Sequence, residues 1–91
     1  MMTLSRELLI SNKRGLHARA SAKFVQTVGS YDALVSVSKD GTEVGGMSIM
    51  GLMMLAASPG CSIRVSATGA QATEVLDALE QLILNKFGEE A

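Results

Sequence analysis

Apolar positions along this chain recur first at every second residue and then at every third or fourth. The changes of period mark out its elements. Leu4 to Ile10 predicts a first strand with weak alternation, broken by Lys13-Arg14-Gly15. From Ala18 to Val28 the pattern turns helical: Ala20, Phe24 and Val28 share one face, and Gly29 is expected to close the helix at the C′ position. Leu34 to Ser38 alternates cleanly, with Val35 and Val37 on one face and Ser36 and Ser38 on the other. Asp40-Gly41 tolerates the positive φ angles of a type I′ turn, so a short partner strand is expected at Thr42 to Gly45. Ser48 suits the N-cap of a short helix from Ile49 to about Leu55, which Ser58-Pro59-Gly60 ends. Cys61 to Thr68 is the clearest strand, with Ile63, Val65 and Ala67 facing one way. A last helix is expected from about Ala70 to Phe87. Its apolar stripe is Val75, Leu76, Leu79, Leu82, Ile83 and Phe87, and Gly88 should stop it.

The order is therefore β-α-β-β-α-β-α. Four short strands with one polar face predict an antiparallel sheet covered by helices on its other face, a two-layer α+β sandwich. Ninety-one residues suffice for one domain with a thin core. Composition then narrows the function. The net charge is −1 and only Phe24, Tyr31 and Phe87 are aromatic, which argues against a nucleic-acid partner. Arg6 and Glu7 interrupt the start of the chain, so no secretory leader is expected. The most apolar run, Ile49 to Ala57, is about half the length that membrane insertion needs. The single cysteine, Cys61, has no ligand partner at metal-binding spacing and reads as a small strand residue, not a reactive thiol. These features point to a soluble protein of a reducing, cytoplasmic compartment with no metal site.

The only histidine, His17, falls where the first strand gives way to a helix, in Gly15-Leu16-His17-Ala18-Arg19. It is expected at the N-cap or beside it. The first amides of a helix lack intrahelical partners and, with the helix dipole, attract anions. The same positive potential favours the neutral, nucleophilic imidazole. Arg19 can bring a guanidinium fork to the same anion. A nucleophile, a donor cradle and a fixed cation are the parts that phosphoryl transfer uses. A solvated surface histidine beside an arginine has the same spacing, and spacing alone leaves both readings open.

Two motifs change that balance. Lys13-Arg14-Gly15-Leu16-His17-Ala18-Arg19-Ala20-Ser21-Ala22 resembles the active-site segment of HPr proteins, the phosphocarriers of the phosphoenolpyruvate-dependent phosphotransferase system. Ser48 to Gly60 resembles that family's regulatory-serine segment, at the family's separation. The resemblance extends over essentially the whole chain, so residues 1–91 are expected to form one HPr domain with the family's open-faced sandwich, its sheet covered on one face by three helices. It implies that His17 is phosphorylated on Nδ1, that Arg19 is the arginine beside it, and that Ser48 is the serine modified by HPr kinase/phosphorylase in some lineages. It also implies that Ile49, Met50 and Met53 meet partner proteins. The expected partners are enzyme I and enzyme IIA-type acceptors, with the chain acting as a monomer and as a protein substrate that needs no cofactor, not as an enzyme. Most family members carry proline where this chain has Ala20. That segment and Lys13-Arg14 look more like the nitrogen-related branch than the sugar-transport branch. Two other functions remain to be weighed: a binding module of the same fold whose phosphorylation sets partner choice, and a small ligand- or RNA-binding domain. The strands offer the latter only Arg64 and scattered serines.

Overall fold

The computed structural model describes residues 2–89. Its elements are β1 (Thr3–Leu9), α1 (Ala18–Gly29), β2 (Leu34–Lys39), β3 (Thr42–Gly45), α2 (Ile49–Met54), β4 (Ser62–Thr68) and α3 (Ala72–Leu84), followed by a 3-10 turn at Lys86–Gly88. The order is the one the periodicities imply. All strand pairs are antiparallel, in the spatial order β1-β4-β2-β3. Asp40 and Gly41, both at positive φ, form the turn between β2 and β3.

Period-2 alternation decides which face is covered. Leu8, Val37, Ile63, Val65 and Ala67 point under the helices and are buried. Ser5 pairs with Ser66 and Thr3 with Thr68 through their hydroxyls on the open face. The helices close the core with Ala20, Phe24 and Val28 from α1, Leu52 from α2, and Val75, Leu76, Leu79 and Ile83 from α3. Arg6 sits between Leu4 and Leu8 in the sequence of β1, and its guanidinium reaches Asp77 at 2.7 Å and Glu80 at 2.9 Å on α3. Its alternation with Ser5 and Glu7 explains why this strand reads poorly: a charge takes an inward position and is neutralised there.

Two helix ends differ from expectation. Gly29 is the last residue of α1, not its C′ residue, and the amides of Ser30 and Tyr31 close the helix by donating to the carbonyls of Thr27 and Val28. The last helix begins at Ala72 and stops at Leu84, three residues short of Phe87. Lys86, Phe87 and Gly88 then run at φ values of 54°, 56° and 78°. Left-handed backbone costs a non-glycine residue roughly 1–2 kcal/mol. Burial of the Phe87 side chain, worth about 1.5–3 kcal/mol, offsets part of this. A bond from the Lys23 ammonium to the Phe87 carbonyl at 2.5 Å offsets more. The reversed turn folds the chain back toward α1, and this determines the composition of the site.

Candidate functional site

His17 is the N-cap of α1, in extended backbone conformation. Its Nδ1 accepts a long hydrogen bond, 3.3 Å, from the amide of Arg19. The amides of Ala18 and Ala20, also in the first turn, find no acceptor among the described residues. Histidine is an uncommon cap, and a ring nitrogen here takes the place that a serine or aspartate oxygen usually fills. The Arg19 side chain is exposed and makes no ion pair among the described residues.

The loop before α1 is held from both sides. Gly15 adopts φ +63°, and the amide of Leu16 donates to the Ala57 carbonyl at 3.0 Å, just beyond the end of α2. A Cβ at Gly15 would lie 2.1 Å from that carbonyl oxygen, so only glycine allows the approach. Ser21, fully buried, donates to the Leu16 carbonyl. Asn12, also fully buried, donates to the Gly15 carbonyl at 2.9 Å.

Sequence reading missed one member of the site, Glu89. Its Oε2 lies 2.5 Å from Nε2 of His17, and its Oε1 accepts from Asn12 at 3.1 Å. Desolvation pushes the Glu89 carboxyl up, but the hydrogen bonds from His17 and Asn12, helped by the nearby Arg14 charge, outweigh it. They hold the carboxyl below its ordinary range. This contribution to stability is complete above the usual glutamate value of about 4.3, and it is lost as pH falls through the depressed one. An acidic residue after Gly88 reads as solvated tail, and nothing in its spacing points to His17.

Ser48 caps α2 as expected: its exposed hydroxyl accepts from the amide of Gly51 at 2.9 Å. Ile49, Met50 and Met53 all reach the surface, Met50 at 72% exposure. Met47 and Met54 are exposed in the same segment and enlarge the apolar surface beyond the three residues that the sequence singled out. Cys61 precedes β4 and is half-buried. The Ser58 hydroxyl lies 3.5 Å from its sulfur and, with the Ser58 backbone and Lys39, pulls the thiol below its ordinary range. The sequence had suggested a thiol with no such neighbour. Among the described residues no group of acidic, histidine or cysteine side chains is gathered to hold a metal ion, and no helix is long and apolar enough to cross a membrane.

Fold and site together define a class: a small open-faced α+β sandwich that presents a histidine at the start of its first helix. Residues 4–85 match the family described as "PTS HPr component phosphorylation site". The chain is 48% identical to the phosphocarrier protein HPr of Cupriavidus necator, over 94% of this chain and 97% of that one. With the protein of the same name from Neisseria meningitidis serogroup B it shares 49% identity, over the same proportions. Among solved structures, HPr-C-His from Thermoanaerobacter tengcongensis superposes with a TM-score of 0.89 at 43% identity, covering 100% of both chains. HPr from Bacillus anthracis superposes with a TM-score of 0.86 at 36% identity, covering 91% of this chain and 99% of that one. The chain belongs to the HPr family, the phosphocarrier proteins of the phosphotransferase system.

Proposed function

We propose that His17 accepts a phosphoryl group from phospho-enzyme I and passes it to enzyme IIA-type acceptors. The observation that carries this reading is the direction of Nδ1. It faces the first turn of α1 and accepts from the amide of Arg19, while the amides of Ala18 and Ala20 in the same turn have no acceptor among the described residues. A phosphoryl group on that nitrogen would replace one long hydrogen bond with donors to its own oxygens. Ala20 keeps an N–H that proline would lack, which adds a donor to the cradle. The exposed Arg19 fork can swing onto the same oxygens as their charge spreads during transfer. Incubation with enzyme I and phosphoenolpyruvate, followed by intact mass measurement, tests the reading. One added phosphoryl group is expected, and none would overturn it.

Docking is assigned to the apolar surface of α2, with Ile49, Met50 and Met53 at its centre. A flexible thioether surface suits a carrier that must meet several partners. Met50→Glu is expected to weaken binding to enzyme I by about 2 kcal/mol while the melting temperature holds. Titration calorimetry beside thermal unfolding checks this, and normal affinity in a folded variant would move the docking surface elsewhere.

Ser48 is assigned as a regulatory phosphorylation site, the substrate of an HPr kinase/phosphorylase. Its hydroxyl already caps α2 and faces solvent, so a phosphate there leaves the helix start intact and adds about −1.5 to −2 charges beside Ile49 and Met50. A partner docking on α2 must then desolvate that charge. Ser48→Asp is expected to keep or raise the melting temperature, since aspartate is also a good cap, and to lower the affinity for enzyme I. A variant that melts lower and docks normally contradicts both halves of this account.

A further inference from the structure

The last described residue is held in place by several independent contacts. Phe87 anchors the reversed turn in the core, and Lys23 holds its carbonyl. Asn12, buried and tied to the Gly15 carbonyl, grips one oxygen of Glu89 and leaves the other to the histidine ring. The two nitrogens of that ring therefore face opposite kinds of partner. The amide of Arg19 can only donate, so Nδ1 must be bare. An ionised carboxylate can only accept, so Nε2 must carry the proton. Both contacts select one tautomer.

We infer that Glu89 is a positioning residue that keeps the proton on Nε2 of His17 and leaves Nδ1 as the ring's one nucleophilic nitrogen. The inference deepens the carrier reading above and rests on it. In the transfer, the Nδ1 lone pair forms the new nitrogen–phosphorus bond, and the donor's bond to phosphorus breaks with its electrons returning to the donor. The proton stays on Nε2 throughout. The phosphorylated ring is then cationic, and the Glu89 carboxylate faces that charge from the side away from the phosphoryl group. A ring that stays protonated remains a good leaving group for the onward step. The arrangement parallels other sites where a carboxylate on one ring nitrogen sets the role of the other.

Potassium phosphoramidate is a suitable probe, because so small a donor needs no docking surface and loses only ammonia as its phosphoryl group moves. The full chain, Glu89→Ala and Glu89→Gln are treated with it. Mass spectrometry follows the rate, phosphorus NMR identifies the linkage, and proton NMR detects the Nε2 hydrogen. The unaltered protein is expected to carry phosphate on Nδ1 alone and to show an exchange-protected, downfield Nε2 proton. Glu89→Ala is expected to lose that proton, to react at Nδ1 roughly three- to tenfold more slowly, and to yield some Nε2-phosphohistidine. Glu89→Gln can still accept through its carbonyl and should keep the Nδ1 linkage at an intermediate rate. A residue that only tied down the chain would alter the melting temperature and leave the linkage unchanged. Equal rates and identical linkage in the unaltered protein and Glu89→Ala overturn the positioning role and leave the carrier reading standing. Reaction with phosphoramidate but none with phospho-enzyme I overturns the carrier reading, and the linkage comparison still decides the role of Glu89.

Discussion

Replacement of His17 by alanine is expected to abolish phosphoryl acceptance from enzyme I outright, because the chain has no second histidine to take its place. In the unaltered protein the linkage should be labile to acid and stable to alkali, as a phosphoramidate is. An acid-stable phosphate on another residue under the same conditions would contradict the assignment. His17→Ala also deletes the cap of α1, at a cost of about 1 kcal/mol, so the variant should fold. His17→Asn separates the two effects. Its amide oxygen can cap the helix but cannot carry the group, so it should be stable and equally inert. Loss of acceptance with full stability in His17→Asn assigns the chemistry to the ring itself.

The second large effect is expected at a residue with no chemistry of its own. Gly15→Ala places a methyl group where the Ala57 carbonyl oxygen already lies, 2.1 Å from the new carbon, at a backbone φ of +63°. The loop must move, and the bond between Leu16 and Ala57 is lost with it. Strain and the missing hydrogen bond together should cost roughly 2–4 kcal/mol. For a domain of this size the melting temperature would fall by roughly 10–25 °C. The same movement displaces His17 from the start of α1 and from Glu89, so phosphorylation should slow even at temperatures where the variant is folded. Calorimetry and single-turnover phosphorylation measure the two losses separately. A destabilisation below about 0.5 kcal/mol would mean that the loop relaxes freely and that the contact with Ala57 does not hold the site.

These two residues differ in how much of their role can be read from the chain. Histidine at a break between strand and helix announces itself, because capping depends on the nearest three or four residues. Ser48 is legible for the same reason, and its bond to the Gly51 amide is the one expected of a cap. The faces of β2, β4, α1 and α3 follow from period alone, since period 2 or 3.6 determines which side chains share a side before any partner is known. The resemblance to HPr proteins rests on these same local segments, and the family match and the neighbouring folds bear it out.

Contacts between distant segments left no such mark. Gly15 is an ordinary loop glycine until Ala57 is brought against it, 42 residues later in the chain. Arg6 reads as a blemish in a strand until Asp77 and Glu80 arrive on α3. The end of the last helix was overestimated because Phe87 continues its apolar stripe. Helical periodicity and a left-handed turn can bury the same ring, and only the packed core selects between them. Glu89 depends on that choice. Had α3 run on through Phe87, the carboxylate would project from a helix end. The turn instead carries it back to His17, 72 residues away in the chain, where Asn12 fixes its second oxygen. Local pattern therefore establishes the histidine at the helix start, its helix and the element order. The strand order, the glycine contact and the carboxylate that meets the imidazole come from tertiary packing, because each depends on a distance between segments that no short-range periodicity encodes.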